Sequence, residues 1–320
     1  MVVTLAAFLT VSCGDSETEG LAVRDGQLVE ANGSPFVIRG VNLAYAWYPD
    51  SMNSIAQAKE LGANAVRVVL SSGDRWTRTT VDEVRSIVEE CKRSRLICVL
   101  EVHDTTGFGE DPEAVPMARA VDYWLDIREA LEGTEGNVII NIANEPFGNN
   151  NYLLWTEQTA QAIIQLRLAG FQHVLMVDAP NWGQDWTLIM RDNAWTVFKS
   201  DPHRNILFSV HMYEVFRDEA KVGDYLDSFA DKALPIVIGE FGPEHRNGDP
   251  VDEDAIMMHA RERRVGYFAW SWSGNNDDLK ALDLVIDFDP ARLTSWGTRL
   301  FNGPNGIRET AREATIYSAN

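Results

Sequence analysis

The sequence predicts a single (β/α)8 TIM barrel preceded by a short N-terminal β-hairpin. Eight apolar, β-branched runs are spread over about 280 residues, the size and order of such a barrel, and segments with helical spacing of apolar residues separate them. No Pro-, Gly- or Ser-rich linker interrupts the alternation, so one domain accounts for it. A doubly wound sheet is the competing arrangement. It lacks its signature, because no G-x-G-x-x-G turn follows the first strand.

Taken in order, LAVRDGQLVEANGSPFVIRGVN carries turn pairs at Asp25-Gly26 and Asn32-Gly33, which marks a hairpin leading into a first barrel strand at about 36–41. The next strands are AVRVVL (65–70), LICVLEVH (96–103), VIINIAN (138–144) and HVLMVD (173–178). ILFSVHM beginning at 206, PIVIGEF (235–241) and VGYFAWSW (265–272) complete the eight. Their near-continuous apolar character fits parallel strands buried on both faces. MNSIAQAKEL, VDEVRSIVEECKR, AVDYWLDIREALEG and LWTEQTAQAIIQLRLAG are among the helices between them.

The 320 residues carry 28 Lys and Arg against 48 Asp and Glu, a net charge of −20 with no basic cluster, which excludes nucleic acid as a partner. Anionic lipid surfaces are repelled as well, so a neutral partner is expected, and ten Trp offer flat faces to cover it. Residues 1–20 read as an export segment and short linker: an apolar run at 2–12 is too short to span a membrane, and Ser12-Cys13 resembles a lipoprotein cleavage site. Plain secretion and a membrane tether through lipid on Cys13 are the two alternatives. Residues 21–320 form the catalytic domain, and a monomer is expected. Cys91 and Cys98 read as two buried free thiols rather than a disulfide.

Active sites of this fold lie at the C-terminal ends of the strands, so the polar residues that close each run are the candidates. They are Arg67, His103 with Asp104, Asn144 with Glu145, His211 with Tyr213, Glu240, and Trp270 with Trp272. Glu145 and Glu240, on the fourth and seventh strands, supply the carboxylate pair that glycoside hydrolysis requires. A separation of about 5 Å across the rim predicts retention of configuration. Glu240 is then the nucleophile, kept ionised by Arg67 and the Tyr213 hydroxyl, and Glu145 the acid/base, its pKa raised by a less polar setting and by Glu240. Asn144 is expected to hold the sugar 2-hydroxyl, His103 and His211 to orient carboxylates or hydroxyls, and Trp270 to floor the sugar ring. No cofactor and no metal are expected.

RGVN, RVVL, EVHD, ANEPFGN, HMY, GEFG and AWSWSGN follow one another as in glycoside hydrolase family 5, a clan A family, and the resemblance covers essentially all of 21–320. EVHDTTGFGE (101–110), VIINIANEPFGNNN (138–151), AWSWSGN (269–275) and LTSWGTRLFNGPNGI (293–307) are similar to the bacterial endo-β-1,4-mannanases of that family. The resemblance implies Glu145 as acid/base, Glu240 as nucleophile, and Arg67, His103, Asn144, His211, Tyr213 and Trp270 in the site. It also implies a neutral β-1,4-linked polysaccharide of mannan type as substrate, with β-1,4-glucan as the alternative. NLAYAWYPD (42–50) departs from the pattern, since relatives are expected to carry His near Ala44 or Tyr45.

Trp47 is a further candidate for stacking on sugar. Trp76, Trp182, Trp186 and Trp296 read as loop-packing residues, and Trp124, Trp155 and Trp195 as core. EVHD invites a metal reading, but the six His are scattered rather than convergent. No G-x-S-x-G elbow and no P-loop are present. A non-catalytic glycan-binding protein on the same scaffold is the alternative from another class, and it has no need of both carboxylates.

Overall fold

The computed structural model describes residues 20–318; the apolar run at 2–12 and Cys13 lie outside the described residues. β1 (Ala22–Arg24) and β2 (Gln27–Val29) form the hairpin, with Asp25 and Gly26 both at positive φ, the two-residue turn that suits strand twist. The barrel follows as β3 (Arg39–Leu43), α1 (Ser54–Glu60), β4 (Ala65–Leu70), α2 (Val81–Arg93), β5 (Ile97–Val102), α3 (Met117–Asp126), β6 (Val138–Asn141) and α4 (Trp155–Leu168). It continues as β7 (Val174–Asp178), α5 (Ile189–Ser200), β8 (Ile206–Met212), α6 (Glu219–Ala230) and β9 (Ile236–Phe241). A small ladder, β10 (Glu244–His245) with β11 (Asp249–Pro250), precedes α7 (Glu253–Glu262) and β12 (Gly266–Ala269). A second ladder, β13 (Val285–Ile286) with β14 (Asp289–Leu293), leads to α8 (Ser295–Asn302) and α9 (Ile307–Thr310).

The eight strands close in the order β12-β3-β4-β5-β6-β7-β8-β9, all neighbours parallel. The first barrel ladder begins at Arg39 rather than near 36, because Phe36 and Ile38 serve the barrel floor instead. That floor is apolar: Ala65, Val99, Ile139, Met176 and Val237 pack over Leu21 and Leu28 of the hairpin region. Two residues further along the same inward faces come Arg67, Glu101, Asn141 and Asp178, so the interior changes from hydrocarbon to ionisable groups in one pleat. The outward faces, such as Val66, Val68, Cys98 and Leu100, pack beneath the helices.

One irregularity positions the site. Val210 of β8 pairs with Ile238 of β9, but His211 pairs with Glu240, which makes Gly239 the extra residue of a β-bulge. Strict alternation from Val237 would turn Gly239 inward and Glu240 outward; the bulge brings Glu240 to the inner side.

Several tryptophans act from the helical layer. Trp124 of α3 donates its indole N–H to the Ile142 carbonyl at 2.8 Å, Trp155 of α4 to Asp178 at 2.8 Å, and Trp296 of α8 to Trp270 at 3.0 Å. All three are buried. Trp195, read above as core, lies instead on the outer face of α5, 48% exposed and stacked on Phe198. Cys91 and Cys98 are buried free thiols.

Candidate active site

At the C-terminal end of the barrel a cleft of about 420 Å³ is lined by His103, Asn144, Glu145, Tyr213, Glu240 and Trp270, with Trp182, Trp186, Glu214 and His245 forming more of its wall. Glu145 stands just beyond β6 with φ +38, a left-handed conformation costing a non-glycine residue about 1–2 kcal/mol. The turn is held by its neighbours: Thr105 donates to the Asn144 carbonyl at 2.6 Å, and the Gly107 N–H donates to that of Glu145 at 3.0 Å. Glu240 receives Arg67 Nη1 at 3.0 Å on one oxygen and the Tyr213 hydroxyl at 2.9 Å on the other. A carboxylate oxygen of Glu145 and one of Glu240 lie within 4.8 Å of each other. His211 Nδ1 sits between them, 2.7 Å from Glu145 and 3.5 Å from Glu240.

Beneath this pair lies Arg67, fully buried, bonded to Asn141 (2.8 Å), Asn42 (2.9 Å), Asn144 (2.6 Å) and Asp178 (3.2 Å) as well as Glu240. Burial opposes its charge, but Glu101, Asp178 and Glu240 outweigh that and raise its pKa. Burial likewise opposes the His211 cation, yet Glu240, Asp178 and Glu145 push its pKa up to about 10. Asp178, despite burial, is lowered to about 2 by His211 and Arg67. His103 bonds through Nδ1 to Glu101 at 2.8 Å and is raised, Glu101 and then Glu240 outweighing burial.

The sequence expectation of a raised Glu145 pKa is overturned. Burial does raise it, but the hydrogen bond and charge of His211 outweigh burial, and the carboxyl falls below its ordinary value. Glu240 is raised instead, by burial and by Glu145, against the pull of His211 and Arg67. Four carboxyls (Glu101, Glu145, Asp178, Glu240) here face three bases (Arg67, His103, His211). The glutamate pair shares its titration with His211.

The structure gathers most of the expected residues, with two corrections, at Trp47 and Trp272. Arg67 and His211 are fully buried under the cleft and bond to the carboxylates. Asn144 does line the cleft; its oxygen accepts from Arg67 and its amide donates to Thr106 at 2.8 Å, which leaves one N–H to offer. Trp270 lines the cleft and stacks on His103 with 26° between the rings. Trp47 does not form the wall: it stands edge-on to Trp76, His103 and Trp270 and props the last two. Trp272 leaves the site altogether, buried edge-on against Phe301, because β12 ends at Ala269 and strand alternation does not carry on to 272. In place of these, Trp182 and Trp186 belong to the cleft, their indoles donating to Glu110 (2.9 Å) and Asn149 (2.7 Å).

No metal geometry emerges from EVHD. Glu101 turns to His103, while Asp104 accepts backbone N–H groups of Ser72 and Arg75. Among the described residues Glu145, His211 and Glu240 alone converge as ligands, and Arg67 already supplies Glu240 with its counter-charge.

A closed (β/α)8 barrel with two carboxyls this close across its C-terminal mouth is the architecture of a retaining glycoside hydrolase. The model of the family described as Cellulase (glycosyl hydrolase family 5) matches residues 29–276, and the chain belongs to that family. It is similar to the mannan endo-1,4-beta-mannosidase of Streptomyces lividans, at 54% identity over 98% of this chain and 82% of the relative. The enzyme of the same description from Cellvibrio japonicus is 50% identical over 100% of this chain and 74% of the relative. A crystal structure of beta-mannanase from Streptomyces thermolilacinus with mannohexaose matches with a TM-score of 0.92 at 52% identity, covering 94% of this chain and 99% of that one.

Proposed function

We propose that the chain is a retaining endo-acting hydrolase of internal β-1,4-mannosidic bonds in mannan, glucomannan or galactomannan. The observation that carries this reading is the similarity, across nearly the whole chain, to enzymes described as mannan endo-1,4-beta-mannosidases. The site chemistry supports it independently of the sugar's identity.

Glu240 attacks the anomeric carbon while Glu145 gives its proton to the departing glycosidic oxygen, leaving a glycosyl ester on Glu240. Glu145, now a carboxylate, then takes a proton from water, which attacks the same carbon and restores the original configuration. Arg67 and Tyr213 hold Glu240 and spread its charge. His211 holds Glu145 in place through its 2.7 Å contact. Asn144, which lines the cleft, keeps one N–H for the 2-hydroxyl of the reacting sugar, and the Trp270 ring offers a floor.

Reducing-end release from galactomannan, glucomannan and carboxymethylcellulose, measured side by side, tests the reading. Galactomannan and glucomannan are expected to be cleaved faster, with β-configured product as the first anomer seen by NMR. Faster cleavage of carboxymethylcellulose would replace the reading by an endo-β-1,4-glucanase, and no release from any of them by a glycan-binding protein.

A further inference from the structure

Asp178 closes β7 beneath the cleft, fully buried and out of reach of a substrate. Its Oδ2 atom meets three groups: Arg67 Nη2 at 3.2 Å, His211 Nε2 at 3.3 Å, and the backbone N–H of Glu145, which donates to it at 3.3 Å. Its Oδ1 accepts from Asn141 at 3.0 Å, and its carbonyl is fixed by the Trp155 indole. One carboxylate oxygen therefore touches the cation that serves Glu240, the imidazole that serves Glu145, and the peptide of Glu145 itself. Glu145 is left-handed at φ +38, so the contact falls on a backbone that needs holding.

We propose that Asp178 is a positioning residue for the glutamate pair: it fixes the Glu145 turn and holds His211 and Arg67 against the two carboxylates. The proposal rests on the reading of Glu145 and Glu240 as acid/base and nucleophile. His211 is faced by Asp178 from β7, Glu145 from the turn after β6, and Glu240 from β9. The Tyr213 hydroxyl donates to the same Glu240 oxygen that His211 approaches, while Arg67 lies on the other oxygen of Glu240 and behind Asp178. The Gly183 carbonyl accepts the His211 backbone N–H at 2.8 Å and brings no charge. Asp178 is thus the one anion around His211 that takes no part in bond making. Its removal withdraws a negative charge from the cluster, and the shared proton is then held less tightly.

The test is Asp178→Asn, which keeps the shape and removes the charge, assayed on mannan from pH 4 to 10 together with Glu240→Ala. The expected result is a kcat lower by about 10²-fold with KM little changed, and an alkaline limb of kcat/KM displaced to lower pH by about one unit. The shape of the pH profile does not depend on what fraction of the variant folds, so a poorly folding preparation still reports. A profile and kcat like those of the wild type overturn the proposal. So does a fall in kcat with an unmoved alkaline limb, which identifies a purely structural residue. If Glu240→Ala still releases reducing ends, the carboxylate reading itself fails; if it is inactive while Asp178→Asn behaves as wild type, only the positioning role fails.

Discussion

His211 on β8 faces Glu240 on β9 because Gly239 is bulged out of the ladder between them. The space there admits only hydrogen: a Cβ on Gly239 would lie 2.3 Å from Ser209 Oγ and 2.9 Å from His211 Nε2. Gly239→Ala is therefore expected to displace His211 or Glu240 by a few tenths of an ångström or more and to lower kcat by about 10²-fold. Steady-state kinetics beside a thermal melt check it, the melt showing a folded protein; full activity in a folded variant would refute the account.

The two glutamates are separable by leaving group. Glu145→Gln should slow mannan hydrolysis by about 10²- to 10⁴-fold, the range of general acid catalysis, yet retain formation of the glycosyl ester from a dinitrophenyl mannobioside, whose phenol needs no proton. Glu240→Ala should lose both reactions. Pre-steady-state release of dinitrophenol distinguishes them.

Tyr213 donates to the ionised Glu240, and burial together with that charge raises the phenol's own pKa well above its usual value, so it stays protonated across the working range. Tyr213→Phe removes a bond made only to the charged carboxylate, which raises the Glu240 pKa further. The nucleophile must be ionised, so the acidic limb of kcat/KM should move to higher pH. An unmoved acidic limb would show that the hydroxyl does not stabilise the nucleophile.

Stability carries its own pH signature through His173, buried near the barrel floor and bonded to Thr134 at 3.0 Å. Burial, with Arg167 nearby, lowers its pKa from 6.5 to about 4. Between those values the unfolded chain binds a proton that the folded one refuses, so this stabilisation is complete above pH 6.5 and is lost as the pH falls toward 4, about 3 kcal/mol in all. His173→Gln should flatten the dependence of Tm on pH across that window, which calorimetry at several pH values would register.

The barrel and the catalytic face were legible because strand period and strand-end chemistry are local. Glu145 and Glu240 end their runs, and the quoted motifs order them along the chain. The same period also encoded Glu101 and Asn141, each two residues past an inward apolar side chain and inside its run, where strand-end chemistry leaves it unread; Asp178 closes the run HVLMVD and was legible there. Trp182 and Trp186 were hidden for a different reason. Their loop turns on Asn181, Trp182, Asp185 and Leu188, all at positive φ, and nothing in those residue types announces a left-handed backbone. The bulge at Gly239 is equally silent in the sequence, although without it Glu240 would face the wrong way.

The indole bonds of Trp124, Trp155 and Trp296 reach from the helical shell to carbonyls at the rim of the barrel, two of them at Asp178 and Trp270. The shell and the catalytic rim are thereby stitched into one cooperative unit. Heating should not melt the helices around a surviving active site, nor loosen the site within an intact shell. Tryptophan emission, near-ultraviolet dichroism and hydrolytic activity are expected to vanish together, over one narrow span of temperature.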